Sequence, residues 1–124
     1  MIEDPLGQSI IGAAMAVHRS LGPGLLESTY QRCLEYELRS AGFSLIVEPY
    51  LAFTYKGLRI ERAFKPDLIV EHAMIVEIKH IEKILSIHEA QTRTYMKLTG
   101  VKSGLIFNFN TQVLKNGIRR LDLP

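Results

Sequence analysis

The sequence predicts an α/β (α+β) domain in which a single mixed β-sheet is flanked by helices. Apolar residues recur at helical spacing in the first third of the chain, and short runs rich in Val, Ile and Phe follow Gly42. A helical segment between two later apolar runs is typical of a crossover connection. The predicted order is α-α-β-β-β-α-β-β, and the 124 residues suit one domain over 1–124.

The composition narrows the class of protein. Hydrophobic residues make up 47% and charged residues 23% of the chain, which is typical of a globular protein rather than a disordered one. Cys33 is the single cysteine, so an intrachain disulfide is excluded and we expect a reducing, cytoplasmic location. The first ten residues lack the pattern of a signal peptide, and no apolar run approaches the ~18–20 residues of a membrane span. A net charge of +2 does not by itself identify a nucleic-acid binder.

Two helices are predicted at the start of the chain. Asp4-Pro5 is a typical helix start, with Asp as N-cap and Pro at the first helical position. The first helix ends at the Gly-Pro-Gly of residues 22–24, and the second is expected over 25–41. The expected buried stripe of the second helix consists of Leu26, Tyr30, Leu34 and Leu38.

The middle of the chain predicts three extended segments. Residues 44–55 form an arm that leads into a strand, and Lys56-Gly57 is a hairpin turn. Residues 58–70 form a long segment that bends near Pro66, because Pro cannot donate a ladder hydrogen bond. A turn at 71–73 leads into a strand over 74–80.

The last third of the chain predicts a helix and further strands. Ser86 and Glu89 have the spacing of a capping box and open a helix that runs to about Leu98. A short apolar strand is expected over 105–107. Residues 113–121 predict a terminal hairpin around an Asn-Gly turn.

Three ionisable residues in the middle hairpin share one predicted face. With a three-residue turn over 71–73, Val70 lies opposite Met74, and Asp67 falls opposite Glu77. Lys79 lies on the same side as Glu77, because side chains alternate along a strand. A two-residue turn would place the two carboxylates on opposite faces.

Paired carboxylates of this kind suit a divalent cation. Two nearby carboxylates repel each other when both are ionised, and Mg²⁺ prefers hard oxygen ligands completed by water and phosphate. A lysine beside them could orient an attacking water or stabilise an anionic transition state. The alternative is an ordinary acid–lysine pair on a solvated sheet face. Apolar residues on both faces of residues 74–78 favour an interior strand, where a charge needs a partner.

At these residues the sequence resembles the PD-(D/E)XK nuclease superfamily. The motif stands here as Pro66-Asp67 followed by residues 77–79, Glu-Ile-Lys. The resemblance implies a restriction-endonuclease-like core. It also implies that Asp67 and Glu77 bind Mg²⁺ (or Mn²⁺) and that Lys79 assists hydrolysis of a phosphodiester.

A second motif resembles the signature of the GxxExxY protein family, a small-domain branch of that superfamily. Gly24, Glu27 and Tyr30 have its spacing, and the resemblance continues over roughly residues 10–121. It implies that Glu27 joins the catalytic site as a further metal ligand. The alternative for Glu27 is simple stabilisation of the first turn of a helix.

Gln91 and Tyr95 match a Gln and a Tyr on the helix that follows the motif in the RecB-like branch. They lie four residues apart and therefore share a helix face. The resemblance implies that Gln91 supports the catalytic site. Tyr95 is more simply explained as a core residue.

The expected function is therefore that of a Mg²⁺-dependent nuclease that hydrolyses phosphodiester bonds in nucleic acid, with DNA favoured over RNA. Two alternatives from another class stay open: a nucleic-acid-binding module without cleavage, and a protein-interaction module with a structural acidic cluster. A small domain has limited surface for gripping a duplex, which favours a homodimer with paired sites.

Overall fold

The computed structural model describes residues 4–124, and these residues form a mixed sheet with helices packed on both faces. The helices are α1 (Pro5–Leu21), α2 (Glu27–Ser40) and α3 (Ser86–Thr99), with a 3₁₀ turn at Leu114–Gly117. The strands are β1 (Leu45–Val47), β2 (Leu51–Tyr55), β3 (Leu58–Phe64), β4 (Leu68–Val70), β5 (Met74–Lys79), β6 (Ser103–Asn108) and β7 (Ile118–Asp122). No helix among the described residues has the length and apolarity to cross a bilayer.

The five-stranded sheet has the order β1-β4-β5-β6-β7, so β5 lies at its centre. β5 and β6 are parallel and are joined through α3, while the other neighbours are antiparallel. The predicted mixed sheet with a crossover helix is therefore confirmed. The predicted register is also confirmed, because Val70 pairs with Met74 and Leu68 pairs with Val76 across the three-residue turn.

The two faces of the sheet carry separate apolar cores. The face that includes Val76 and Ile78 packs against α1 and α2, with Tyr30 and Phe107 among its fully buried side chains. The opposite face includes Ile75, which belongs to the core beneath α3. Burial on both faces explains why β5 is apolar in almost every position.

The predicted extended segments are divided by two backbone breaks. The arm at 44–55 splits into β1 and β2, because Glu48 adopts a positive φ of 47° and Pro49 follows it. The segment at 58–70 bends at Lys65-Pro66, as predicted, and separates β3 from β4. β2 and β3 form an antiparallel two-stranded sheet of their own, and Lys56-Gly57 makes the expected turn with positive φ at both residues.

Two predictions about the helices need correction. Leu26 is 73% exposed, because it is the extended N-cap residue of α2 rather than part of the buried stripe; the other three stripe residues are fully buried. Ser86 is not the N-cap of α3. That position belongs to Leu85, whose N–H donates to Nδ1 of His88 at 2.8 Å.

The predicted terminal hairpin is wrong. Residues 114–117 form a 3₁₀ turn, and β7 pairs with β6 instead of with a neighbouring strand at 113–115. The reason is that β6 needs a second partner to satisfy its backbone groups, and β7 supplies it through pairs such as Gly104 with Leu121. Gly117 fits this turn closely, since an added Cβ would lie 2.3 Å from the carbonyl oxygen of Asn108.

Candidate functional site

The carboxyl groups of Asp67 and Glu77 meet at the entrance to β4 and near the end of β5. The N–H of Asp67 donates to Oε2 of Glu77 at 2.9 Å, and the N–H of Ile78 donates to Oδ2 of Asp67 at 2.8 Å. These two backbone bonds tie each carboxyl group to the opposing strand. The predicted convergence of the two residues is thus present in the structure.

The pair is removed from water. Glu77 is only 2% exposed and Asp67 is half-buried. Burial, followed by the negative charge of Asp67, raises the pKa of Glu77 to about 9. Burial also raises the pKa of Asp67. A pKa of about 9 favours the protonated form of Glu77 at neutral pH.

Lys79 lies close enough to act on both carboxyl groups. Its positive charge lowers the pKa of Asp67 and of Glu77, against the larger effect of burial. The side chain is half-buried at the last position of β5, two residues beyond Glu77 and on the same face. Asp67, Glu77 and Lys79 consequently form one group at the end of the central strand, which we call the carboxylate–lysine cluster.

Glu27 approaches this strand end from the other layer of the fold. It is the first residue of α2, and its Oε1 accepts the backbone N–H of His80 at 2.9 Å, one residue beyond Lys79. Its negative charge slightly raises the pKa of Asp67. Within the described residues, no three His, Cys, Asp or Glu side chains are grouped closely enough to hold a metal together. Glu27 is therefore a neighbour of the carboxyl pair and stands outside a preformed three-ligand set.

Tyr30 fixes the loop that leads into α2. Its buried hydroxyl donates to the carbonyl of Gly22 at 2.5 Å and accepts the N–H of Leu25 at 2.9 Å. The imidazole of His80 stacks on the Tyr30 ring, and its Nε2 donates to the carbonyl of Pro23 at 2.6 Å. The Gly-x-x-Glu-x-x-Tyr motif thus joins the loop at 22–25 to the end of β5.

The helix α3 brings one aromatic hydroxyl to the cluster. Burial raises the pKa of Tyr95 to about 12, and the nearby negative charges of Glu77 and Asp67 contribute to the increase. Tyr95 is 5% exposed and belongs to the core under α3, as its alternative interpretation predicted. Gln91 lies one turn earlier and is exposed, with no hydrogen bond to the cluster among the residues described.

One residue beside the cluster was missed by the sequence analysis. Asn108 is buried opposite Lys79 in the parallel pair of strands, and its amide bonds both the N–H and the carbonyl of Ile81. These bonds hold the chain just beyond the cluster. The sequence signal for Asn108 is a polar residue at the end of a buried apolar strand. Its hydrogen-bond partner could not be predicted, because it depends on the parallel register of β5 and β6.

The donor set of the cluster fits a divalent cation. Carboxylate oxygens are the ligands that Mg²⁺ prefers, and one or two carboxylates with water and phosphate are usual for it. Lys79 supplies one cation, which matches the single negative charge of the pair while Glu77 is protonated but leaves the pair undercompensated once both carboxyl groups ionise. A bound cation would offset the cost of ionising Glu77.

Comparison with family models identifies the chain. The model of the PD-(D/E)XK nuclease superfamily matches residues 4–121. The chain belongs to this superfamily. Comparison with curated proteins and with solved structures gave no significant match. The mixed sheet between helices is consistent with the restriction-endonuclease-like core of the superfamily.

Membership in the PD-(D/E)XK superfamily confirms the resemblance at that level. It indicates a nuclease, whose substrate class is nucleic acid, and PD-(D/E)XK nucleases generally use divalent metals. The narrower resemblance to the GxxExxY family stays a prediction, as do the roles of individual residues.

Proposed function

We propose that this domain hydrolyses phosphodiester bonds of nucleic acid with the help of Mg²⁺ or Mn²⁺. The observation that carries the proposal is the pair of backbone hydrogen bonds that holds the half-buried carboxyl group of Asp67 and the buried one of Glu77 together beside Lys79. Two buried carboxyl groups in contact are costly for folding unless a positive charge compensates them. A catalytic role gives a reason for two carboxyl groups beside the apolar residues of the central strand.

Asp67 and Glu77 would hold the cation, and Glu27 would complete its surroundings from α2. The bound cation would polarise the attacking water and offset the negative charge that develops on the phosphoryl group. The two backbone N–H groups already hold the carboxyl groups in fixed positions, so little reorganisation is needed on binding.

Lys79 would supply positive charge to the reacting phosphate. Its ammonium group lies near both carboxyl groups. There it can stabilise the anionic transition state or orient the water that attacks the phosphate. Gln91 is placed on the exposed side of α3, where its amide could donate a hydrogen bond to a phosphate oxygen. DNA is the favoured substrate, and a homodimer would allow two sites to act on a duplex.

A cleavage assay tests the proposal. Purified protein is incubated with single-stranded, duplex and branched DNA and with RNA, in Mg²⁺, in Mn²⁺ and in EDTA. We expect cleavage in either metal and none in EDTA. Lys79→Ala should lower kcat about 100- to 1000-fold, as loss of one group that stabilises transition-state charge does in other enzymes. Lys83→Ala is the matched control, because Lys83 is exposed on the loop after β5.

Metal binding is measured separately from cleavage. Mn²⁺ at 100 times its Kd should stabilise the protein by about 2.7 kcal/mol, and the double variant Asp67→Asn/Glu77→Gln should lose this stabilisation. The control Glu82→Gln, an exposed acid close in sequence, should retain it. A wild-type protein that neither binds metal nor cleaves any substrate would contradict the proposal and favour a binding module.

A further inference from the structure

The ribbon formed by β2 and β3 with its flanking residues, 50–65, exposes an apolar face. Tyr55 pairs with Leu58 and Phe53 pairs with Ile60, so these four side chains lie on the same side of the ribbon. They are between 39% and 61% exposed. Soluble monomers rarely leave a contiguous apolar surface of this kind without a function. The face is therefore available to a partner.

Positive charge is concentrated on the ribbon, where Arg59 pairs with Glu61 and Lys65 with Glu48. Residues 50–65 contain four cations and one carboxylate, a net charge of +3, whereas the whole chain has a net charge of +2. Three of the cations lie over aromatic rings: the Lys56 ammonium is 5.4 Å from the Tyr55 ring centroid, and the Arg62 guanidinium and Lys65 ammonium are 4.7 and 5.5 Å from that of Tyr50. Cations alternating with aromatic rings suit a polyanion that also has flat apolar faces.

A row of aromatic rings connects the ribbon to the carboxylate–lysine cluster. The rings of Phe53 and Phe64 meet edge to face at 6.1 Å, and those of Phe64 and Tyr95 do the same at 6.1 Å. Tyr95 in turn lies near Glu77 and Asp67. The ribbon is therefore linked to the cluster by direct ring contacts.

We propose that the ribbon binds an unpaired segment of nucleic acid, whose bases stack on Phe53 and Tyr55 while its phosphates contact the ribbon's cations. Base faces in a duplex are covered by their neighbours, so an apolar and aromatic surface adds affinity for an unpaired strand, while the cations attract both forms. The inference rests on the proposed function, in that it names the form of the substrate that reaches the cluster.

The first test uses tryptophan as a reporter of stacking. The chain contains no Trp, so Tyr55→Trp carries the single indole fluorophore. Oligonucleotides of about 12 residues, a length within the usual site sizes, are titrated in EDTA to prevent cleavage. Oligo(dT) and oligo(U) are the two single-stranded ligands, and a DNA duplex is the third. We expect saturable quenching by either single strand, at least ~10-fold tighter than by duplex.

The control reporter is Tyr36→Trp, at a position on α2 that is 71% exposed and outside the ribbon. Its fluorescence should change little when the oligonucleotide binds. Comparison of oligo(dT) with oligo(U) distinguishes DNA from RNA as the ligand. Tighter binding of oligo(U) would indicate a contact with the 2′-hydroxyl of RNA.

The second test removes the stacking surface. Tyr55→Ala should weaken binding of the single strand roughly 5- to 100-fold, and Tyr55→Phe should restore most of it, because a phenyl ring still stacks. Binding by both variants is measured by fluorescence anisotropy of a labelled oligonucleotide in EDTA. Circular dichroism confirms that each variant is folded.

Three results would overturn the inference: absence of quenching in Tyr55→Trp, equal affinity for duplex and single strand, or a stable dimer whose ribbon stays closed to oligonucleotide. Wild-type cleavage that Tyr55→Ala leaves unchanged would also overturn it while leaving the proposed nuclease activity in place. Conversely, tight binding in EDTA without cleavage in Mg²⁺ would support the ribbon's role and contradict the nuclease.

Discussion

Removal of a single oxygen from Tyr30 should measurably destabilise the fold. Tyr30→Phe keeps the fully buried ring and its stacking on Phe109 at 4.5 Å, but deletes the hydroxyl that bonds Gly22 and Leu25. Each lost hydrogen bond costs about 1 kcal/mol net, and more where the orphaned group stays buried. The loop at 22–25 is partly exposed, so water can replace part of the loss. We therefore expect a decrease of about 2 kcal/mol in the free energy of unfolding.

Urea and thermal denaturation, followed by circular dichroism, measure this change. For a chain of this size, 2 kcal/mol corresponds to a decrease in Tm of about 6–10 °C. The matched control is Tyr36→Phe on the same helix, where the side chain is 71% exposed. It should change the free energy of unfolding by less than about 0.5 kcal/mol.

The reasoning would be refuted if Tyr30→Phe unfolded within about 0.5 kcal/mol of the wild type, the range typical of a surface substitution. That result would mean that the hydroxyl does not fix the loop. The motif's tyrosine would then contribute only the packing of its ring.

Other predictions follow from the buried groups and the tight turns. In EDTA, the free energy of unfolding should fall as the pH rises from about 5 to about 9. The reason is that Glu77, with a pKa of about 9, keeps its proton in the folded protein at pH values where the unfolded chain has already released it. In Glu77→Gln this part of the pH dependence should vanish. Asn108→Ala should cost about 1–3 kcal/mol in urea denaturation, since it orphans the N–H of Ile81 and leaves its carbonyl with Asn110 as its remaining side-chain donor. Gly117→Ala should lower Tm by several degrees, because its added methyl meets the backbone of Asn108. The control is Gly12→Ala at an exposed position of α1, where the added methyl meets no neighbour and should stabilise the helix by up to ~1 kcal/mol. Equal Tm values for the two glycine variants would contradict the close packing of the turn at 114–117.

The register of the central hairpin could be predicted because two independent constraints agree. Apolar residues alternate so that Leu68 and Val76 must share a face, and the three-residue turn keeps Asp67 on the side of Glu77. A shift of one residue would have moved every apolar side chain to the wrong face. Local pattern was therefore enough to predict the carboxylate pair.

Features that depend on distant parts of the chain were not predictable in the same way. The Asn-Gly pair at 116–117 is a strong local signal for a hairpin, yet the strand that follows it pairs with β6 instead. Leu26 fits the spacing of a buried stripe, but the helix begins one residue after it. In both places the pairing and packing of the whole fold override a local preference.

The break at Lys65-Pro66 determines both the cluster and the ribbon. Pro66 cannot donate a ladder hydrogen bond, so β3 ends before it and the ribbon leaves the five-stranded sheet. Directly after the break, the N–H of Asp67 binds the carboxyl group of Glu77 and brings the two acids together. Phe64, three residues earlier, contacts Tyr95 above the same cluster. Because side chains alternate along extended chain, one residue added or removed between Phe64 and Asp67 would change the face of one of them. The number of residues between Phe64 and Asp67 thus determines whether Phe64 reaches Tyr95 while Asp67 reaches Glu77.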